Sequence, residues 1–111
     1  MTELYKNEKL QEAVNYGNEL NKLFPKDPIP LNIIGTICNK AGNSQKAISL
    51  YTKAISLRPD FAEAYNNLGT IYSEKDDTEK ALTTYTQAVT LNPGFVEVHN
   101  NMGLVYKKSG D

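Results

Sequence analysis

Residues 62–95, AEAYNNLGTIYSEKDDTEKALTTYTQAVTLNPGF, decide the fold of this chain. In the first half of this stretch the apolar and small residues fall at i, i+3, i+4 and i+7, one face of an amphipathic helix: Tyr65, Leu68, Gly69 and Tyr72. The second half has helical spacing again from Ala81 to Leu91. A polar stretch over residues 75–79 separates the halves, and Pro93 ends the second one. The pattern predicts two helices that form a hairpin.

The same pattern recurs every 34 residues along the chain. Four residue types keep this interval: Gly35, Gly69 and Gly103; Ala13, Ala47 and Ala81; Leu23, Leu57 and Leu91; Pro25, Pro59 and Pro93. A fixed period of this length is typical of stacked helical repeats. We therefore divide the single array 1–111 into a partial repeat over 1–27, mainly its second helix, complete repeats over 28–61 and 62–95, and the first helix of a truncated repeat over 96–111. No window alternates with period two, so we predict no strands.

Polar residues mark the expected helix starts. Asp27 precedes Pro28, the combination of an N-cap with proline in the first helical turn. Asp60, with Glu63 three residues later, predicts a capping box at the start of the next helix. Asp77 or Thr78 is expected to cap the helix that follows.

Composition excludes several classes of function. The 111 residues carry 12 Lys+Arg and 13 Asp+Glu, a formal net charge of −1, which favours neither nucleic acid nor an anionic membrane as partner. Arg58 is the only arginine, and single copies of cysteine (Cys38) and histidine (His99) exclude an internal disulfide and a histidine metal cluster. The chain has no secretory signal and no long apolar run, so we expect a cytoplasmic protein of one domain.

The chain resembles a tetratricopeptide-repeat (TPR) array. The family pattern is a large apolar residue, Leu-Gly, Tyr, Ala, an aromatic, Ala and Pro. Residues 62–95 match it with Tyr65, Leu68, Gly69, Tyr72, Ala81, Tyr85, Ala88 and Pro93. Residues 28–61 match it with Leu31, Ile34, Gly35, Cys38, Ala47, Tyr51, Ala54 and Pro59. In the first partial repeat Gly17 stands where the family has an aromatic, and Leu4 and Tyr5 resemble the tail of a preceding first helix. The resemblance implies an all-α solenoid of antiparallel helix pairs forming a right-handed superhelix, with the first helices on its concave face.

No catalytic constellation is found in the sequence. His99 lies at the packing position of Leu31 and Tyr65, which predicts a partly buried side chain. Cys38 lies at the position of Tyr72, which predicts a small core residue. The acidic stretch 76–79 lacks the spacing of a calcium loop, and no Gly-x-x-x-x-Gly-Lys phosphate loop is present. We predict no catalytic residues, no metal and no cofactor.

Function is then expected in the groove formed by the first helices. The residues predicted to face a protein or peptide partner there are Asn32, Thr36, Asn66, Asn67, Thr70, Asn100, Asn101 and Leu104. Amide side chains both donate and accept hydrogen bonds, which suits the main chain of an extended peptide. TPR arrays typically bind peptides in this groove, and the asparagine series is similar to the peptide-reading arm of O-GlcNAc transferase. An alternative interpretation is that Asn67 and Asn101 occupy a common TPR position and serve the fold.

Three further interpretations follow from the resemblance and the register. A TPR groove that holds the C-terminal carboxylate of a chaperone needs a cluster of basic residues and Asn, whereas Glu97 has the wrong charge for that role. The chain could be the substrate-recruiting arm of a larger transferase. It could also self-assemble head to tail, through Met102 and Tyr106 at one end and Leu20 and Leu10 at the other.

Overall fold

A computed structural model describes the backbone of residues 2–110 and the side chains of residues 7–110. It contains six α-helices: α1 (Thr2–Leu23), α2 (Pro28–Lys40), α3 (Ser44–Leu57), α4 (Ala62–Glu74), α5 (Thr78–Leu91) and α6 (Val96–Ser109). No strand occurs in the described residues, and the prediction of an all-α chain of helix pairs is confirmed. Leu4 and Tyr5 were predicted to be the tail of a preceding first helix. Their side chains lie outside the described residues, and their backbone belongs to α1.

The helices form two compact units, Met1–Pro59 (unit 1) and Asp60–Asp111 (unit 2). In unit 1, α2 packs against both α1 and α3; in unit 2, α5 packs against both α4 and α6, and α4 also touches α6. The buried apolar side chains of unit 1 include Leu31, Ile34, Cys38, Ala47, Tyr51 and Ala54. Cys38 is therefore a core residue, as predicted. The core of unit 2 contains Ala81, Tyr85, Ala88, Val98 and Val105.

Each complete hairpin is closed by a tyrosine that lies on a glycine. A Cβ on Gly35 would lie 2.7 Å from Cε1 of Tyr51, and a Cβ on Gly69 would lie 2.7 Å from Cδ1 of Tyr85. Both tyrosines are 2% exposed. Since the rings occupy the space of a side chain, only glycine lets the first helix approach the second so closely.

Side-chain caps begin three of the helices. The Asp27 carboxylate accepts from the Ile29 amide at 3.0 Å, Asn43 accepts from Lys46 at 3.3 Å, and Asp77 accepts from Lys80 at 3.2 Å. The caps predicted at Asp27 and at Asp77 are thus confirmed. Each cap satisfies one backbone N–H that the first turn of a helix leaves without an internal partner.

The cap predicted at Asp60 is wrong. The N-cap residue of α4 is Phe61, which makes no side-chain cap hydrogen bond. Phe95 has the same role at the start of α6 and packs against the core of unit 2. The residue before Phe95 is Gly94, which has no side chain to contribute. An aromatic residue is therefore the N-cap at both starts, and the carboxylate of Asp60 lies one residue too early.

The turn after each first helix contains a residue with positive φ. These are Gly42 at 89°, Asp76 at 61° and Gly110 at 84°, spaced by the repeat length. The left-handed region favours glycine because it has no Cβ. Asp76 is the exception, and its carboxylate lies 2.6 Å from Nζ of Lys108 on α6.

Candidate functional site

Four asparagines on α4 and α6 form what we call the amide face of unit 2: Asn66, Asn67, Asn100 and Asn101. The two helices approach each other here, and Nδ2 of Asn101 donates to Oδ1 of Asn66 at 3.0 Å. Asn66 is 3% exposed, Asn67 and Asn101 are half-buried and Asn100 is exposed. The hydrogen bond holds the Asn101 side chain in one orientation at the edge of the face.

The sequence pattern predicts that Asn66 faces a partner, whereas in the structure its side chain lies between α4 and α6. Its side-chain oxygen Oδ1 accepts the hydrogen bond from Asn101, and almost none of its surface is accessible. Asn100 and part of Asn101 are therefore accessible from outside unit 2, whereas Asn66 is covered and bonded to Asn101. The residue spacing alone does not distinguish these roles, because both positions lie toward the same side of their helices.

Thr70 is also engaged within unit 2. Its hydroxyl donates to the main-chain oxygen of Asn66 at 3.0 Å and lies 2.9 Å from the hydroxyl of Tyr85. Since the threonine hydroxyl has one hydrogen, the Tyr85 hydroxyl donates to Thr70. Leu104 holds the same repeat position on α6, where it is 64% exposed. The predicted groove residues thus include one hydroxyl bound internally and one open apolar side chain.

Unit 1 repeats the internal bonds but not the amide face. Thr36 donates to the main-chain oxygen of Asn32 at 3.1 Å and lies 2.8 Å from the Tyr51 hydroxyl. Asn32 is 9% exposed. Ile33, which is 47% exposed, holds the repeat position of Asn67 and Asn101. This part of unit 1 therefore presents an apolar side chain where unit 2 presents amides.

An apolar cavity of about 300 Å³ lies between α1 and α2. Its lining residues are Ala13, Tyr16, Gly17, Leu20, Pro30, Ile33 and Ile37. Gly17 holds the repeat position of Tyr51 and Tyr85, and a Cβ there would collide with Ile34. The sequence shows the glycine as a departure from the pattern. It does not show the cavity, which depends on how α1 packs on α2.

The four residues predicted for self-assembly lie in different surroundings. Met102 is half-buried against the core of unit 2, and Tyr106 is 44% exposed. Leu20 lines the apolar cavity, and Leu10 lines a second cavity of about 300 Å³ that reaches Cys38. A Cβ on Gly103 would meet no atom within 4 Å.

Tyr85 is the titratable group most affected by this site. Burial raises the pKa of its hydroxyl above the usual 10.0, and the carboxylates of Glu74 and Glu97 raise it further. Two acidic side chains therefore act on the hydroxyl at the base of this face.

The prediction of a partly buried His99 is wrong. The imidazole is exposed, and its Nε2–H donates to the main-chain oxygen of Pro93 at 2.8 Å. Leu31, at the same repeat position, is 2% exposed within the α2–α3 hairpin. In the described residues α6 has no following helix to cover its histidine in that way.

The described residues contain no group of three or more His, Cys, Asp or Glu that could hold a metal ion. None of the helices in the described part of the chain is long and apolar enough to cross a membrane.

Comparison with known proteins points to one repeat type. Family models described as "Tetratricopeptide repeat" match residues 30–61 and 50–83, and a model described as "TPR repeat" matches residues 71–110. No curated protein sequence matches the chain.

Solved structures give the same result. Two crystal structures of MamA are similar to 91% of the chain at 26% identity, each with a TM-score of 0.81. The chain spans 59% and 55% of the length of those two MamA chains. The first TPR of Spaghetti (RPAP3), bound to the HSP90 peptide SRMEEVD, is similar to 99% of the chain at 18% identity, with a TM-score of 0.84. This chain covers 87% of that one.

Proposed function

Because the chain carries tetratricopeptide repeats over residues 30–110, we propose that it is a non-catalytic interaction scaffold that binds an extended peptide or a partner helix on the amide face. The observation that carries this proposal is the hydrogen bond from Asn101 to Asn66. It fixes an amide at the edge of a face on which Asn100 is exposed. Such a pair suits a peptide main chain, which presents donors and acceptors in alternation.

The Asn101 amide is prepared for binding by its neighbour. One of its two Nδ2 hydrogens goes to Asn66, which leaves the second hydrogen and Oδ1 for a partner. A side chain already held in place loses little rotamer freedom when a peptide binds, and this lowers the entropic cost of binding. With few aromatic or arginine side chains on the face, we expect a dissociation constant on the order of micromolar.

The acidic HSP90 peptide bound by the Spaghetti domain is a poor guide to the partner of this chain. At 18% identity the likeness concerns the fold alone. Glu97 and Glu74 act on the Tyr85 hydroxyl in unit 2 and would repel a carboxylate placed there. The partner proposed here is recognised through its main chain and not through a C-terminal carboxylate.

The test begins with selection of binders from a random decapeptide library, followed by calorimetry on the selected peptide. Asn100→Ala removes an exposed amide without removing an internal bond, so we expect affinity to fall by about 1 kcal/mol, roughly fivefold, with unchanged stability. Asn101→Ala should weaken binding further. It should also destabilise unit 2 by about 1–3 kcal/mol, because it leaves the side-chain oxygen Oδ1 of Asn66 buried without its hydrogen-bond donor.

Gln87→Ala on α5 is the matched control, since Gln87 is an exposed amide outside the amide face. It should leave affinity unchanged. If Asn100→Ala and Asn101→Ala bind the selected peptide as tightly as the wild type, the amide face is not the binding site.

A further inference from the structure

The two units of the chain carry opposite charges. With histidine neutral, Asp60–Asp111 has eight acidic and four basic side chains, a formal charge of −4. Met1–Pro59 has five acidic and eight basic side chains, a formal charge of +3. The net charge of −1 for the whole chain hides this division. Unit 2, which carries the amide face, therefore has a negative field that attracts cations and repels anions.

Acidic side chains lie one helical turn before the amides of this face. Glu97 comes four residues before Asn101 on α6, and Glu63 comes four residues before Asn67 on α4. Both glutamates are exposed. Since residues four apart lie on the same face of a helix, each carboxylate shares a face with the amide that follows it. A main chain bound by Asn101 would therefore lie about one turn, roughly 5 Å along the helix, from Glu97.

Two carboxylates also act together at the base of the face. After burial, which is the main cause, the carboxylates of Glu74 and Glu97 raise the pKa of the Tyr85 hydroxyl. That hydroxyl bonds to Thr70, and Thr70 bonds to the main-chain oxygen of Asn66. Negative charges from α4 and α6 thus act on one atom that two hydrogen bonds link to the amide face.

Two of the lysines in unit 2 are engaged away from Glu97. Nζ of Lys108 lies 2.6 Å from the carboxylate of Asp76, and Nζ of Lys80 lies 5.6 Å from the ring centroid of Tyr72. Glu97 itself forms no hydrogen bond or ion pair with another described residue. Its exposed carboxylate is therefore accessible to a cation from outside the chain.

We infer that the partner of the amide face is a basic peptide, whose main chain binds Asn100 and Asn101 while a neighbouring lysine or arginine side chain pairs with Glu97. The inference rests on the proposed function, because it names the class of partner that the amide face takes. Hydrogen bonds to a main chain do not depend on the peptide sequence, whereas a carboxylate selects for one charge. The amides thus supply affinity, and Glu97 supplies specificity.

The test uses the random decapeptide library on the full chain and counts the charged residues in the selected peptides. Lysine and arginine should be enriched over the library, and aspartate and glutamate depleted. At low salt, Glu97→Gln should weaken binding of a selected peptide about two- to fivefold in calorimetry, as should replacing the basic residue of the peptide with glutamine. Both changes together should cost no more than either alone, because they remove the same ion pair.

Glu79→Gln is the matched control. Glu79 and Glu97 are both exposed, and each lies in the first turn of its helix, on α5 and on α6. Both substitutions change the charge of unit 2 by the same amount, so the comparison separates a local ion pair from the field of the whole unit. Glu79→Gln should leave affinity unchanged. Thermal unfolding establishes that both variants are folded.

Failure of the inference and failure of the proposed function give different results. If the selected peptides lose affinity for Asn100→Ala but carry lysine and arginine no more often than the library, the inference is overturned and the amide face stands. The inference is also overturned if Glu97→Gln weakens binding no more than Glu79→Gln does. If binding is insensitive to both Asn100→Ala and Asn101→Ala, the proposed function itself fails, and the inference fails with it.

Discussion

Replacing Gly69 with alanine should destabilise the protein, although alanine is the better helix former. In a helix interior the change alone is worth about 1 kcal/mol in favour of alanine. Here the new Cβ would lie 2.7 Å from Cδ1 and 2.8 Å from Cε1 of Tyr85, a ring that is 2% exposed and cannot move outward freely. Overpacking of this kind costs about 1–3 kcal/mol.

Movement of the Tyr85 ring would also break its hydrogen bond with Thr70, a loss of about 1 kcal/mol. The net expectation for Gly69→Ala is a loss of about 1–3 kcal/mol in the free energy of unfolding. Gly103→Ala is the matched control at the same repeat position, where a Cβ would meet no atom within 4 Å. It should stabilise the protein by about 0.5–1 kcal/mol.

The assay is urea unfolding followed by far-ultraviolet circular dichroism. Comparing the two variants separates the effect of the tyrosine ring from the helix propensity they share. If Gly69→Ala were as stable as the wild type, the ring would not limit the approach of the helices. If Gly103→Ala lost as much as Gly69→Ala, the position on α6 would be covered and not open.

Three further predictions concern single side chains. Asp76→Gly should raise stability by about 0.5–1 kcal/mol in thermal or urea unfolding, because glycine accepts the positive φ of 61° and the lost ion pair with Lys108 is exposed. Because the pKa of Tyr85 is raised above 10.0, the folded state retains its proton where the unfolded state loses it. Stability is therefore intact below about pH 10 and should fall as the pH rises above it, with a smaller fall for Tyr85→Phe in urea unfolding over this range. Asp27→Ala should cost about 1 kcal/mol through loss of the cap, whereas Asp60→Ala should change the unfolding midpoint little.

The 34-residue period of the sequence predicts those features of the fold that require one type of residue at one position of each repeat. Gly35 and Gly69 lie under tyrosines because every hairpin of this kind needs a small residue opposite a large one. The caps at Asp27 and Asp77 follow from local chemistry, and the structure shows both. Such contacts either join residues that are close in the sequence or recur from one repeat to the next, so the sequence pattern predicts them.

Features that depend on how helices of different repeats pack on each other do not follow from the pattern. The burial of Asn66 arises from the approach of α6 to α4, and the apolar cavity arises from the packing of α1 on α2. His99 shares a repeat position with Leu31 but is exposed, because burial there depends on a neighbouring helix and not on the position itself. Asp60 matches a capping pattern, yet the N-cap residue is Phe61.

The proposed amide face can be tested most directly by nuclear magnetic resonance. The isotopically labelled chain would be titrated with a peptide selected from the decapeptide library, and the side-chain amide signals followed. Binding at the amide face predicts that the largest shifts belong to the amide groups of Asn100 and Asn101, while that of Gln87 on α5 is unchanged. Shifts centred on Gln87, with those of Asn100 and Asn101 unmoved, would contradict the proposed binding surface.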